Sequence, residues 1–331
     1  MTKPRLTPPR LTMACGPYDR MEALRTGEVT ADGIDLDMIP IKSPREIFDR
    51  AMAGADFDIA EMSTSEHIAN TVLGKSPHVA IPVFPSRVFR HGFIVLNRNK
   101  GIESPGDLAG RRIGVPLYTM TAAVWMRGML EDDHGVDLSG VTWVQGAVEK
   151  AGSHGNPKPP PLLKPIKLEI NDSGRSLDDL LCAGEIDAYM GAQLPPSLGR
   201  HPDLVRLFPD VRGTEREYYQ RTGIHPIMHL VVIKREIYDA NPWIARSLYD
   251  AFVKAKAQAW KDLTFTGASK VMLPWVYDDI GEINRVFGGE PFAYGLKPNR
   301  HTLETLIGYM HRHHMIARKP ALEEVFVDVG A

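Results

Sequence analysis

Residues 81–96 read IPVFPSRVFRHGFIVL, and three cationic or titratable side chains lie just before the apolar strand that ends this stretch. These side chains are Arg87, Arg90 and His91. Shielding them from water between apolar neighbours costs free energy unless an anion meets them. The planar guanidinium of arginine suits a carboxylate or a phosphate, which it can hold by two parallel hydrogen bonds. The stretch therefore predicts an anion site beside a strand, and a solvated loop with ordinary surface ion pairs is the alternative interpretation.

The length and composition of the chain are those of a globular protein with more than one domain. Its 331 residues exceed a typical domain, so two domains are expected. With 43% hydrophobic and 24% charged residues the chain can bury a core, and its formal net charge of -2 argues against a nucleic-acid surface. No window approaches the ~20 apolar residues of a membrane span.

The N-terminal segment and the cysteines bear on the cellular compartment. Residues 1–10 are basic and interrupted by prolines, and the apolar run of a secretory signal does not follow them. The expected location is therefore the cytoplasm. Cys15 and Cys182 are too few for a disulfide framework or a cysteine zinc site, so each is expected to be a small buried residue and not a nucleophile.

Segments typical of strands alternate with segments typical of helices along the chain. Strands are predicted at 11–15, 34–39, 57–62, 93–96, 112–116, 141–144, 186–190, 204–208 and 230–233, with helices between them and at 242–261 and 302–310. This alternation predicts parallel α/β sheets, whose ligands bind beyond the carboxyl ends of the strands. That rule selects the following candidate ligand-binding residues: Asp19, Arg20, Glu61, Ser63, Tyr118, Thr119, Thr121 and Gly191.

Two of these positions share one pattern, in which a strand runs through hydroxyl residues into a helix. The first hydroxyl loop is 63–65 and the second is 118–121. Free backbone N–H groups at the start of a helix attract anions. The repetition predicts two half-sites, one in each lobe, that face each other, although Ser63 alone is equally well explained as a helix N-cap.

Several stretches resemble the 4,5-dihydroxyphthalate decarboxylase family. They are ACGPYDR at 14–20, DIAEMS at 58–63, IPVFPSRVFRH at 81–91, GVPLYTMTAAVWMRG at 114–128, WVQG at 143–146 and PIMH at 226–229. The resemblance implies a two-lobed α/β fold like that of type II periplasmic binding proteins, with a ligand cleft between the lobes. Lobe 1 would comprise residues 1–96 and 227–331, and lobe 2 would comprise residues 97–226, with crossovers near 93–98 and 225–232.

The family resemblance also implies a reaction. One carboxylate would leave 4,5-dihydroxyphthalate, giving 3,4-dihydroxybenzoate (protocatechuate) and carbon dioxide, a step in the degradation of phthalate-type aromatic compounds. The departing carboxylate is para to a hydroxyl group, which can delocalise the positive charge that arises when the ring carbon is protonated. Such a reaction needs a proton donor, a clamp for the retained carboxylate and a partner for the hydroxyls.

Candidate residues follow for each of these tasks. Arg87 and Arg90 are the predicted clamp, assisted by N–H groups near Ser63 and 119–121. His229 or His91 is the predicted proton donor, because imidazole titrates near neutral pH. Glu61 would polarise a ring hydroxyl or orient the histidine.

Each of these roles has a structural alternative. His229 could satisfy only local hydrogen bonds at a hinge. Glu61 could form an ion pair between the lobes, and Asp19 with Arg20 could be a structural pair.

No redox or pyridoxal cofactor is expected for this chemistry. A bound divalent metal is the alternative, since Glu61, Asp19, His91 and His229 are acceptable ligand types. No two of these residues have the spacing of a metal-binding motif, so no metal ligand is assigned. The expected partner is a small aromatic dicarboxylate, with neither nucleic acid nor membrane, and the sequence does not decide whether the protein forms a homo-oligomer.

The alternatives in function are a solute-binding protein for an aromatic or dicarboxylic acid, and a decarboxylase of another hydroxylated aromatic acid.

Overall fold

The computed structural model describes residues 9–54 and 56–330, so residues 1–8, which carry part of the signal-segment prediction, lie outside the described residues. The strands are β1 Arg10–Cys15, β2 Asp35–Pro40, β3 Ile59–Ser63, β4 His78–Arg87, β5 Ile94–Asn97, β6 Arg112–Val115, β7 Thr142–Gln145, β8 Leu168–Ile170, β9 Ala188–Met190, β10 Leu204–Arg206 and β11 Ile227–Lys234. The helices are α1 Asp19–Arg25, α2 Pro44–Met52, α3 Thr64–Val72, α4 Thr121–His134, α5 Leu177–Cys182, α6 Val211–Thr222, α7 Arg235–Ala240, α8 Trp243–Thr264, α9 Val276–Phe287, α10 Arg300–Arg312 and α11 Leu322–Val325. Short 3₁₀ turns lie at His91–Phe93, Arg98–Lys100, Pro105–Leu108 and Lys297–Asn299.

The strands form two sheets. The first has the order β2-β1-β3-β11-β4 and the second the order β10-β5-β9-β6-β7-β8. The chain passes from the first sheet to the second through residues 88–93 and returns through residues 223–226. These two connections lie side by side, since the Val88 N–H donates to the Pro226 carbonyl at 3.1 Å.

The prediction of wholly parallel sheets is wrong for one strand in each sheet. β11 runs antiparallel to both β3 and β4, and β5 runs antiparallel to both β9 and β10. Both reversed strands are the first to follow a crossing between the sheets. A chain that enters a sheet from the cleft runs away from the cleft, whereas the other strands end at it.

Local sequence explains why the elements that border the cleft begin where they do. Ser43 caps α2, accepting a hydrogen bond from the Glu46 N–H at 3.4 Å, and Pro44 occupies the first helical position. β3 and β4 are buried along their whole length, as expected of strands covered on both faces. These elements border the cleft and fix the positions of the side chains that line it.

The C-terminal helices join the two sheets. α8 packs on α1 and β4, while α10 packs on both α3 and α4. Gly128 in α4 allows this approach, because a Cβ there would lie 2.2 Å from the Tyr309 ring of α10. The lobe limits inferred from the sequence stay a prediction.

Among the described residues, every helix is too short or too polar to span a bilayer.

Candidate active site

A cavity of about 540 Å³ lies where the carboxyl ends of strands from both sheets meet. This volume is typical of a site for a small molecule. Its lining combines apolar and polar side chains: Tyr18, Lys42, Ser43, Pro44, Arg45, Phe48, Ser63, Glu66, Ser86, Val88, Arg90, Phe93, Met120, Thr121, Ala122, His154, Ala192, Gln193, Met228 and His229.

The two hydroxyl loops face and contact each other at the wall of this cavity, and the repeated sequence pattern predicted that they would face each other. The Ser63 and Thr121 hydroxyls lie 3.1 Å apart, and the Ser65 hydroxyl donates to the Thr119 carbonyl at 2.8 Å. The Ser65 N–H also donates to the Thr121 hydroxyl at 3.1 Å. One of the N–H groups expected to bind an anion is therefore engaged in holding the two lobes together.

His229 and Glu61 form a buried pair at the inner end of the cavity. β11 lies beside β3 with His229 opposite Ser63, which brings the imidazole next to the Glu61 carboxylate. His229 Nδ1 lies 2.6 Å from Glu61 Oε1. The carboxylate is fully buried, whereas the imidazole side chain is 17% exposed and lines the cavity. With Nδ1 held by Glu61, Nε2 is the ring nitrogen left to meet a ligand.

Three further donors fix the Glu61 carboxylate. Tyr18 donates its hydroxyl to Oε1 at 2.6 Å, and the Gly16 N–H donates to Oε2 at 2.8 Å. The Cys15 thiol lies 3.6 Å from Oε2. These contacts leave the carboxylate little freedom to turn toward a ligand, so of its two predicted roles the geometry favours orienting the histidine.

The environment keeps Glu61 charged and its neighbours protonated. Burial would raise the pKa of Glu61, but the nearby His229, with hydrogen bonds from His229, Tyr18 and Gly16, outweighs burial and lowers it. Burial and the Glu61 charge raise the pKa of Tyr18 and that of the Cys15 thiol. The site therefore holds a fixed negative charge directly behind the imidazole.

Arg90 supplies a buried cation to the same cavity. Only 4% of the residue is exposed. Its Nε donates to Met228 Sδ at 3.1 Å, its Nη1 donates to the Ala192 carbonyl at 3.1 Å, and the guanidinium lies 4.7 Å from the Phe93 ring centroid. Within the described residues, no carboxylate forms an ion pair with it. Burial lowers the pKa of Arg90 to about 10, so it is still cationic at neutral pH and available to an anionic ligand.

Arg87, the other predicted clamp residue, points away from this cavity. Its guanidinium donates to the Asn299 side chain, to the Ala293 carbonyl at 2.9 Å and to the His225 carbonyl at 3.2 Å. It therefore ties the C-terminal segment to the second connection between the sheets. The structure does not bring it together with His229.

His91, the alternative proton donor, also lies away from the cavity. Its ring packs between Phe208 and Tyr218, with centroid distances of 5.4 and 5.0 Å. Its Nδ1 is 4.0 Å from Glu215 Oε1. The residue is 2% exposed, and burial lowers its pKa to about 4, so the imidazole is neutral at pH 7.

This burial makes His91 a source of acid sensitivity. An unfolded histidine titrates near pH ~6.5, so below that pH the unfolded chain binds a proton that the folded chain refuses until about pH 4. Stability therefore falls as the pH drops through this window. A His91→Phe variant is expected to lose about 2 kcal/mol less stability than the wild type between pH 7 and pH 5. Urea unfolding at both pH values measures this difference, and equal losses in the two proteins would contradict it.

The remaining predicted residues lie outside the cavity lining. Arg20 donates Nε to the Pro85 carbonyl at 2.6 Å and pairs with Asp19 at 3.0 Å, as in the structural alternative. Tyr118 packs against Trp143, with ring centroids 5.4 Å apart, and under the buried Arg127 guanidinium at 3.8 Å. Of the twelve residues predicted from the sequence, the structure places four in the lining: Ser63, Arg90, Thr121 and His229. Glu61 reaches the cavity through His229.

Other lining residues were not among the sequence candidates. Tyr18 lies within the 14–20 stretch, but the strand-end rule selects its charged neighbours, and nothing in the sequence directs its hydroxyl to Glu61. Phe48 packs edge-on against His229, with centroids 4.9 Å apart. Arg45 pairs with Glu66 and with Asp49, at 2.8 Å for the latter. The polar start of α2 was the available signal for Arg45.

In residues 9–54 and 56–330, no three His, Cys, Asp or Glu side chains come together in a way that could hold a metal ion.

Comparison with known proteins assigns the chain to a family. A curated relative from Comamonas testosteroni, named 4,5-dihydroxyphthalate decarboxylase, is 36% identical over 326 residues, which cover 96% of this chain and 96% of the relative. This chain belongs to the 4,5-dihydroxyphthalate decarboxylase family. A family member of the same name from Pseudomonas putida is 41% identical over 219 residues, covering 63% of this chain and 81% of the relative. No family model matches the chain.

Solved structures of low identity share the fold of this family member. The periplasmic sulfonate-binding protein SsuA from Methylobacillus flagellatus KT aligns with a TM-score of 0.54 at 13% identity, covering 96% of this chain and 91% of that one. The aliphatic sulphonate binding protein SsuA from Escherichia coli aligns with a TM-score of 0.54 at 10% identity, covering 96% and 92%. The likeness confirms the predicted periplasmic-binding-protein-like fold.

Proposed function

We propose that this protein decarboxylates 4,5-dihydroxyphthalate to 3,4-dihydroxybenzoate and carbon dioxide, with His229 as the general acid and Arg90 as the carboxylate clamp. The activity rests on membership of a family whose curated relatives carry this name. The roles of the residues rest on one observation. A cation that no carboxylate of the described residues pairs with and an imidazole backed by a carboxylate line the same cavity.

The substrate fits this arrangement because its two carboxylates are on adjacent ring carbons. Arg90 would hold one of them through its free guanidinium donors. Arg90 and His229 line the same cavity, so the neighbouring carboxylate-bearing carbon would lie close to the imidazole. The substrate is symmetric, and either carboxylate can therefore be the one retained.

The chemical step is a proton transfer followed by loss of carbon dioxide. The imidazolium Nε2–H would give its proton to the ring carbon that bears the departing carboxylate, and the para hydroxyl would delocalise the positive charge. The carbon–carboxylate bond then breaks, its electrons restore the aromatic ring, and carbon dioxide leaves. His229 regains a proton from water, and the ring carbon keeps the hydrogen it received.

The buried Glu61 supports the charged state that this step requires. Its negative charge, fixed by Tyr18 and the Gly16 N–H, stabilises the imidazolium and holds Nδ1, so that Nε2 points into the cavity. The apolar wall formed by Phe48, Phe93 and Met228 would limit hydration of the departing carboxylate. The step is redox-neutral and is proposed to proceed without a cofactor.

Incubation of the purified protein with 4,5-dihydroxyphthalate, with and without a chelator, tests the proposal. Carbon dioxide and 3,4-dihydroxybenzoate are expected in both samples at equal rates. Product that is lost with chelator and restored by added metal would overturn the cofactor-free step. Binding without product would overturn the enzymatic function and favour a solute-binding protein.

We propose a cytoplasmic enzyme that acts on a small aromatic dicarboxylate, and fractionation of cells that produce the protein tests the compartment. Light scattering of the purified protein would show whether it forms a homo-oligomer.

A further inference from the structure

The outer end of the active-site cavity opens into a second cavity of about 530 Å³. Four residues line both cavities and therefore stand at the passage between them: Ser43, Arg45, His154 and Gln193. The residues given the chemical step, His229 and Arg90, line only the inner cavity. The passage is thus the end of the site farther from the proposed proton donor.

His154 reaches this passage from the loop between β7 and β8, which belongs to the second sheet. The loop is held against α2 of the first sheet, because the Asn156 N–H donates to Asp49 Oδ2 at 2.9 Å. Gly155 permits the contact: its φ is +70°, and a Cβ there would lie 2.6 Å from atoms of Arg45 and Asp49. The position of His154 is therefore fixed by both lobes.

The ring of His154 has hydrogen-bonding capacity that the protein does not use. Within the described residues, neither of its nitrogens has a hydrogen-bond partner. Burial and the nearby Arg45 cation lower its pKa, so the imidazole is neutral at physiological pH and has one acceptor and one donor nitrogen. A phenolic hydroxyl, which both donates and accepts, matches such a group.

A row of packed side chains extends from His229, the proposed proton donor, to His154. The His229 ring packs against Phe48, with centroids 4.9 Å apart, and the Arg45 guanidinium lies 5.2 Å from the same Phe48 ring. His154 lies next to Arg45 at the passage. A ring that presents its carboxylates to the inner end would therefore present its opposite edge to His154.

We propose that His154 binds the ring hydroxyl para to the departing carboxylate and makes the site selective for hydroxylated aromatic dicarboxylates. This inference rests on the proposed decarboxylation. Protonation of the ring carbon places positive charge on the para oxygen, whose hydrogen becomes more acidic. The hydrogen bond to the neutral imidazole then strengthens, which stabilises the intermediate more than the bound substrate. The hydroxyl proton stays shared with the imidazole and returns to the oxygen as carbon dioxide leaves.

The test compares two ligands, 4,5-dihydroxyphthalate and phthalate, which lacks both hydroxyls. His154→Ala is expected to weaken binding of 4,5-dihydroxyphthalate about tenfold and to lower its kcat, while binding of phthalate stays unchanged. His154→Gln, which keeps an acceptor and a donor, should recover part of the loss. His311→Ala, which removes an exposed histidine from α10, is the control and should change neither ligand.

Calorimetry in a His229→Gln background, which is expected to turn the substrate over too slowly to disturb the titration, gives the affinities, and product formation by proteins that keep His229 gives kcat. Equal weakening of both ligands in His154→Ala would overturn the inference, because it would indicate a displaced loop. Unchanged affinity and kcat for 4,5-dihydroxyphthalate would also overturn it and leave the decarboxylation intact. A wild-type protein that makes no product would instead overturn the decarboxylation, and with it this role for His154.

Discussion

Replacing His229 with glutamine is expected to lower kcat for 4,5-dihydroxyphthalate by about 10²–10⁴-fold, the usual effect of losing a general acid. Glutamine is close to histidine in size and can still bond to Glu61, but it cannot carry a transferable proton. KM should change little, since Arg90, the proposed carboxylate clamp, is unchanged. Steady-state assay of 3,4-dihydroxybenzoate measures both constants.

His225→Phe is the matched control for this substitution. His225 is also a buried histidine next to β11, but its ring stacks on Phe89 at 4.8 Å and does not line the active-site cavity. The control should keep its turnover. Full turnover in His229→Gln would rule out the acid role, and His229 would then be a structural hinge histidine.

Glu61→Gln tests whether the buried carboxylate acts through the imidazole. The amide keeps the shape of the side chain but removes the charge that stabilises the imidazolium. Its kcat should therefore fall in the same direction as in His229→Gln, with KM unchanged.

Replacing Arg90 with methionine is expected to raise KM by roughly 30-fold or more, because a buried carboxylate of the substrate would lose its charge-assisted partner. The same substitution removes a buried cation that no carboxylate of the described residues neutralises. The free protein should therefore be as stable as the wild type or more stable, since replacing an uncompensated buried charge by an apolar side chain relieves its desolvation cost. Kinetics and a thermal melt without ligand give the two readouts.

Arg87→Met is the matched control, three residues earlier in the same stretch. Arg87 is similarly buried, and its donors are used by Asn299, Ala293 and His225, so its loss should lower Tm and leave KM near the wild-type value. The reverse outcome, a high KM in Arg87→Met and an ordinary KM in Arg90→Met, would show that the clamp is Arg87.

The contrast between these arginines shows what a sequence can and cannot predict here. The apolar neighbours of Arg87 and Arg90 indicate that both are shielded from water, which the structure confirms. Their spacing does not say which one faces the ligand, because β4 ends at Arg87 and the chain then turns through a 3₁₀ segment. Beyond the strand, the alternation of side chains no longer indicates direction.

The proton-donor candidates show the same limit. From the sequence, His229 and His91 are equally good candidates for the proton donor, since both are histidines beside apolar strands. Only the pairing of β11 with β3 brings His229 to Glu61, a residue 168 positions away along the chain. His91 is instead enclosed by Phe208 and Tyr218, which come from a distant part of the sequence.

By itself the sequence determined the α/β alternation, the two hydroxyl loops and the presence of buried cations, because these depend on local periodicity, helix capping and the cost of burying charge. The reversed strands β5 and β11, the choice of Arg90 over Arg87, and the presence of Tyr18 and His154 in the cavity were decided only by the tertiary structure. Each of them depends on contacts between segments far apart in the chain, and the energy of such contacts is set by packing that no local pattern encodes.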